Sequence, residues 1–355
     1  MSLQVNEENL YSNFINSLKS ERTKINYNYA LKQYMAFHRF DKYSHLLSNP
    51  EERIKEYVIF LNKNNASSTK FKLLFAALKN FYNMNDIENI KWYKLRRFQG
   101  EESPKFEDRC YTHEEIKTLL DAANMKMKAV ILLMASTGMR IGALPSLSIG
   151  DLKRIGDLYR ISVYKGLRGK GQYYTFCTPE CAKAIDTYIS FRERCGEKIT
   201  ETSPLFRKDF DIEIHEHARN RVQPLAEKTL QGVLDSLRIR VGLSMVERTK
   251  YQQKSVKLSH GFRKFFVTQL VNAHLDSVII KKLSGHSVGT VDLTLLYSKQ
   301  TEEEMLQEYE KAIDALTINP ANRLQRKVEM LTVEKSKIDQ ALAAIEEVKR
   351  KVGLT

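Results

Sequence analysis

Apolar positions recur at helical spacing through the first hundred residues. Tyr27, Ala30, Leu31, Tyr34 and Phe37 share one face, Ile54, Val58 and Leu61 repeat the pattern after Pro50, and Phe71, Leu74, Phe75, Leu78 and Phe81 follow Ser67, Ser68 and Thr69, which are suited to capping a helix start. No alternating pattern competes. The segment NIKWYKLRRF (89–98) mixes Lys91, Lys94, Arg96 and Arg97 with Trp92 and Tyr93. It reads equally as a solvated helix end and as a phosphate-contacting surface. Residues 1–98 are therefore expected to form a helical domain, and 99–111, polar and without periodicity, a linker.

A second domain is expected over 112–318. Thr112 and Glu115 have capping-box spacing ahead of Ile116, Leu119, Leu120 and Ala123, and a more apolar helix runs through Val130, Leu133 and Met134 to Gly138. Between Asp157 and Thr178 the period shortens to two: DLYRISVY and YYTFCT flank GLRGKGQ, which predicts a hairpin. Helical patterns resume at Pro179. Beyond Asn319, Leu324, Val328, Leu331, Ile338, Leu342, Ile345 and Val352 keep heptad spacing with Lys335 and Lys349 in the two gaps, so 319–355 reads as a heptad-patterned helix. The fold class that results is mainly α with a small β-sheet or hairpin.

The chain has 355 residues, 42% hydrophobic and 28% charged, with 15 Gly and 7 Pro, a balance that excludes collagen-like and largely disordered classes. Its longest apolar run, Ala129 to Ala135, is far short of the roughly 20 residues that span a bilayer, and the polar start lacks a signal-peptide layout, so neither membrane nor export is implied. Cys110, Cys177, Cys181 and Cys195 form no disulfide or zinc framework and read as reduced thiols of a cytoplasmic protein. The excess of 57 Lys and Arg over 43 Asp and Glu leaves +14. Spread among folded-looking segments and aromatics, that charge points to nucleic acid as the partner.

Several chemistries are absent. GLRGKG lacks the spacing of a nucleotide phosphate loop and lies inside a hairpin, which leaves NTP hydrolysis unsupported. His215 and His217, two apart among acidic residues, read as an exposed loop instead of a metal site. What remains is dispersed: Arg140 just past Gly138, then His260, Arg263, His286 and Tyr297. Arginine forks match the oxygens of a phosphodiester and can offset the charge of its transition state. Taken singly, each of these residues has a structural explanation as ion-pair partner, cap or half-buried amphipath.

Their order and context decide between the readings. TGMRIGALPSL, SHGFR, LSGHS and a following tyrosine resemble the tyrosine recombinase, or phage integrase, family over about 112–318, and the stretch after Tyr297 is similar to archaeal mobile-element integrases. The resemblance implies a site-specific recombinase that breaks and rejoins double-stranded DNA through a 3′-phosphotyrosyl link without ATP, metal or other cofactor. The N-terminal helices would be its DNA core-binding domain, and protomers would assemble, as a tetramer, on two sites. It also implies roles: Arg140, His260, Arg263 and His286 around the phosphate, Tyr297 as nucleophile, and a lysine from the hairpin. Of Lys165 and Lys170, Lys165 is favoured because it ends the first strand, leaving Lys170 to bind DNA with Lys91, Lys94, Arg96 and Arg97. Three departures accompany the match: Ala143 stands where an acidic residue is usual, His286 and Tyr297 are further apart than is common, and LSGHS carries an extra serine. Tyr309 is the competing nucleophile. A type IB topoisomerase and a catalytically silent DNA-binding protein of this fold are the rival functions.

Overall fold

Local capping explains where the helices begin. The Ser67 hydroxyl accepts a hydrogen bond from the Lys70 amide, Thr112 and Glu115 close a reciprocal capping box, Asn124 accepts from the Met127 amide, and Thr301 and Glu304 form a second box. The computed structural model describes residues 7–100, 108–211, 222–243, 256, 258–286 and 300–352, the last without the side chains of 346–352. The chain divides into two units, Met1–Phe106 and Glu107–Thr355.

The first unit is helical: α1 (Glu7–Asn16), α2 (Glu21–Phe37), α3 (Pro50–Lys63), α4 (Ser68–Asn83) and the short α5 (Trp92–Arg96). The predicted stripes of α2, α3 and α4 meet in one core with Phe14, Leu31, Tyr34, Ile54, Val58, Leu78 and Phe81 buried. Tyr82 is buried with its hydroxyl donating to the Leu46 carbonyl at 2.9 Å, so the polar end of a large side chain is satisfied. Lys91, Lys94, Arg96 and Arg97 are all exposed, while Leu95 anchors the turn between them.

The second unit begins with α6 (His113–Ala122) and α7 (Met125–Thr137). Nearly every residue of α7 is buried, as expected for a helix apolar all round. The helices α8 (Pro179–Arg194) and α10 (His260–Asn272) pack against it, and α9 (Glu227–Arg240), α11 (Ser277–Leu283) and α12 (Glu302–Leu316) complete the same core. The sheet is antiparallel in the order β1 (Leu152–Ile155), β2 (Leu158–Val163), β3 (Tyr173–Phe176), with Ile161 opposite Leu152 on one side and Thr175 on the other. The expected hairpin is β2–β3. Strand β1 adds a third member that a four-residue segment with Lys153 and Arg154 at its centre does not announce.

The last element is α13 (Pro320–Val352), whose start is tied to α8: Glu180 accepts from the Ile318 and Asn319 amides at 2.8 and 3.1 Å. Leu324, Val328, Leu331, Ile338, Leu342 and Ile345 are each more than half exposed, between 52% and 65%. Among the described residues no helix is long and apolar enough to cross a membrane.

Candidate active site

The end of α7 places the first arginine. Gly138 terminates the helix at φ +60°, and a Cβ there would lie 2.4 Å from Phe266, so both the backbone and the packing demand glycine. Two residues on, Arg140 is extended and exposed, leading into a 3₁₀ turn over Ile141–Ser146 in which Ala143 is buried. Its Nη1 donates to the Gly285 carbonyl at 3.2 Å.

His260 opens α10, and Arg263 follows one turn later on the same face. Arg263 is 6% exposed, with Nη1 donating to the carbonyls of Gly138 at 2.9 Å and Ser284 at 2.6 Å. Those two bonds tie the α7 end to the α11 end through one side chain. Burial lowers its pKa and the neighbouring Arg140 charge lowers it further, yet a guanidinium remains a cation at neutral pH. Among the described residues neither arginine is in an ion pair. Two such cations side by side suit an anion.

His286 follows α11, with Nδ1 2.6 Å from the Ser284 Oγ and both ring nitrogens 3.3 Å from Arg263 Nη2. Ser284 is the extra serine of LSGHS. It is buried, lies 2.7 Å from the Ile280 carbonyl, and so fixes the imidazole through the α11 backbone. Gly285 adopts φ +61°, and a Cβ on it would come within 2.3 Å of the Tyr173 ring. Burial, then Arg263, Arg140 and Lys281, hold the His286 pKa below the usual histidine value. A lowered pKa favours the neutral ring at pH 7, a form that can donate one hydrogen bond without carrying charge.

The hairpin places its two lysines differently. Tyr164, the residue after β2, takes φ +60°, and Lys165 beyond it is exposed and lines neither cavity of the site. Lys170 instead returns to the cleft, its Nζ 4.7 Å from the Tyr164 ring centroid. Two cavities of about 690 and 450 Å³ share Arg140, Tyr164 and Lys170; the first adds Tyr173 and His286, the second His260, Arg263, Glu227 and Gln231.

The four predicted phosphate-facing residues therefore converge, although 146 positions separate Arg140 from His286. Tyr297, His215 and His217 lie outside the described residues. Tyr309 is fully buried, donates its hydroxyl to the Ser136 carbonyl at 2.8 Å, and has its pKa raised well above the usual value by burial. That core position removes it as a competitor for DNA. Tyr164, Tyr173, Ser284, Glu227 and Gln231 were not singled out by sequence reasoning; only the serine gave a signal, as a departure from the family pattern. Among the described residues no group of three or more His, Cys, Asp or Glu side chains is placed to hold a metal ion.

Comparison with known proteins converges on the same region. The family model described as "Phage integrase family" matches residues 109–304. The chain is 23% identical to "Tyrosine recombinase XerA" of Pyrococcus horikoshii over 258 residues, covering 72% of this chain and 78% of the relative. It is 22% identical to "Tyrosine recombinase XerC" of Halalkalibacterium halodurans over 321 residues, 86% and 98% of the two chains. Among solved structures, the Tn1549 transposon integrase in complex with transposon right end DNA matches with a TM-score of 0.58 at 17% identity, over 85% of this chain and 98% of that one.

Proposed function

The chain belongs to the phage integrase family of tyrosine recombinases, and on that premise we propose that it is a site-specific recombinase or integrase that cleaves and rejoins double-stranded DNA through Tyr297. The observation that carries the proposal is the convergence of Arg140, His260, Arg263, His286 and Lys170 on one cation-lined cleft. The DNA-bound state of the structurally similar transposon integrase supports duplex DNA as the partner.

Each group has a task that its chemistry suits. A free tyrosine is only about one part in a thousand ionised at pH 7, so Tyr297 needs a proton acceptor, which His260 supplies. Arg140 and Arg263 hold the non-bridging oxygens as charge builds on them, and His286 adds a neutral donor. As the phenolate oxygen bonds to phosphorus, the P–O5′ bond breaks and Lys170 transfers a proton to the departing oxygen. The product is a 3′-phosphotyrosyl bond and a free 5′ hydroxyl. Because the phosphoester is conserved, attack by a 5′ hydroxyl of a second duplex rejoins the strand without ATP. Exposed Lys91, Lys94, Arg96 and Arg97 would add sequence-independent phosphate contacts from the first unit.

A plasmid exchange assay tests the proposal. A duplex selected by binding from a randomised library is placed twice in one supercoiled plasmid, and recombinant products are expected in EDTA as in its absence. Relaxation without recombinants would make the protein a topoisomerase. Binding with neither product would make it a silent DNA-binding protein.

A further inference from the structure

Tyr164 is a backbone anomaly in the middle of the cleft. A bulky aromatic residue at φ +60° is disfavoured by contact between its Cβ and the backbone, and such conformations persist where the surroundings enforce them. Gly166 and Gly169 in the same loop also have positive φ and open space around them, so a less costly chain reversal was available nearby. The left-handed turn instead fixes the ring where it lines both cavities. Lys170 stands over its face at 4.7 Å, and the Tyr173 ring meets it edge-on with centroids 6.5 Å apart.

We propose that Tyr164 is a positioning residue: its ring is the platform that holds the Lys170 ammonium in the cleft, inside a loop that otherwise gives a lysine little to pack against. The inference rests on the recombinase reading and deepens it. Lys170 is on an exposed, glycine-rich connection from Gly166 to Gly171, and a flexible ammonium there would spend much of its time in water. Arg140 and Arg263 line a cavity with it, and like charges repel. A quadrupolar ring attracts the ammonium without neutralising it, so the proton stays available for the leaving oxygen. A carboxylate in that place would form an ion pair and repel the DNA phosphate.

The role separates from a structural one by leaving-group chemistry. Tyr164→Ala, Tyr164→Phe and Lys170→Ala are compared with the unaltered chain in single-turnover cleavage of one selected duplex, made with an ordinary 5′ oxygen or a 5′-thio leaving group. Tyr164→Ala should slow the ordinary duplex by about three- to thirtyfold, the range that loss of one cation–π contact gives. Tyr164→Phe, which keeps the ring, should stay within about twofold. A thiolate needs little protonation, so the 5′-thio duplex should restore Tyr164→Ala and Lys170→Ala alike. Affinity for the duplex and Tm are measured alongside. A defect in Tyr164→Ala that the thio duplex does not relieve, or one equally severe in Tyr164→Phe, would overturn the platform role. Absence of cleavage by the unaltered chain would overturn the recombinase reading itself, and this inference with it.

Discussion

At the residue scale the cleft turns on which lysine is near it. The sequence offers Lys165 and Lys170 and favours the first because it ends a strand, whereas Lys170 is the one that lines the cavities beside Tyr164. Lys170→Ala should slow cleavage of an ordinary duplex at least about a hundredfold, the lower range for a lost general acid, while Lys165→Ala changes it by less than about threefold. The reverse ranking in a single-turnover assay would contradict the placement.

Histidine protonation contributes to the loss of stability in mild acid. His286 is held below its ordinary pKa by burial and by Arg263 and Arg140, and His38 by burial. The unfolded chain binds protons at both positions as pH falls through 6.5, whereas the folded chain does so only at lower pH. Stability should therefore be flat above that value and fall below it. Urea unfolding at pH 7.5, 6 and 5 checks the sign, and His286→Gln should flatten part of the acid slope. A midpoint that rises on acidification would contradict it.

At the scale of elements, the legible parts were those whose signal is local. Helical stripes and capping boxes are properties of neighbouring residues, so α2, α3, α4, α6 and α7 could be read in sequence. The order of motifs similarly singled out Arg140, His260, Arg263 and His286. Strand β1 escaped because its four residues gain their identity from pairing with β2. Tyr173 escaped because its value lies in closing on Gly285, more than a hundred residues away. Glu227 is similar: its carboxylate lies against Gly142, where a Cβ would be 2.9 Å from Oε2, and is held by Gln231 at 2.9 Å. It brings a carboxylate to the cleft that has Ala143 in its wall-forming turn, yet nothing in its own helix marks it.

The junction into α13 is also non-local. Glu180 receives two backbone amides there, and charge-assisted bonds of this kind contribute ~1.5–3 kcal/mol each when well formed. Glu180→Ala should accelerate hydrogen exchange at Ile318 and Asn319 by at least about tenfold. Unchanged protection would show that the helix start is held by something else.

For the whole molecule, the exposed stripe of α13 is the feature a monomer explains least. Six large apolar side chains along one seam favour burial against a helix, although Lys335 and Lys349 weaken any such packing. If the chain exchanges strands between paired protomers as proposed, removing residues 322–355 should spare cleavage of one site and reduce assembly and two-site exchange. Light scattering with and without DNA reads assembly directly; a truncated chain that assembles as before would reject a linking role, and loss of folding would favour docking on its own unit.

The central claim is a covalent one and is tested most directly by mapping the adduct. The full chain is trapped on a suicide duplex in EDTA, digested with protease and nuclease, and the nucleotide-bearing peptide is sequenced by mass spectrometry. Attachment of a 3′ phosphate to Tyr297, with no adduct from Tyr297→Phe despite unchanged DNA affinity, is the expected result. Attachment at any other residue, or an adduct that forms only when a divalent ion is restored, would contradict the account.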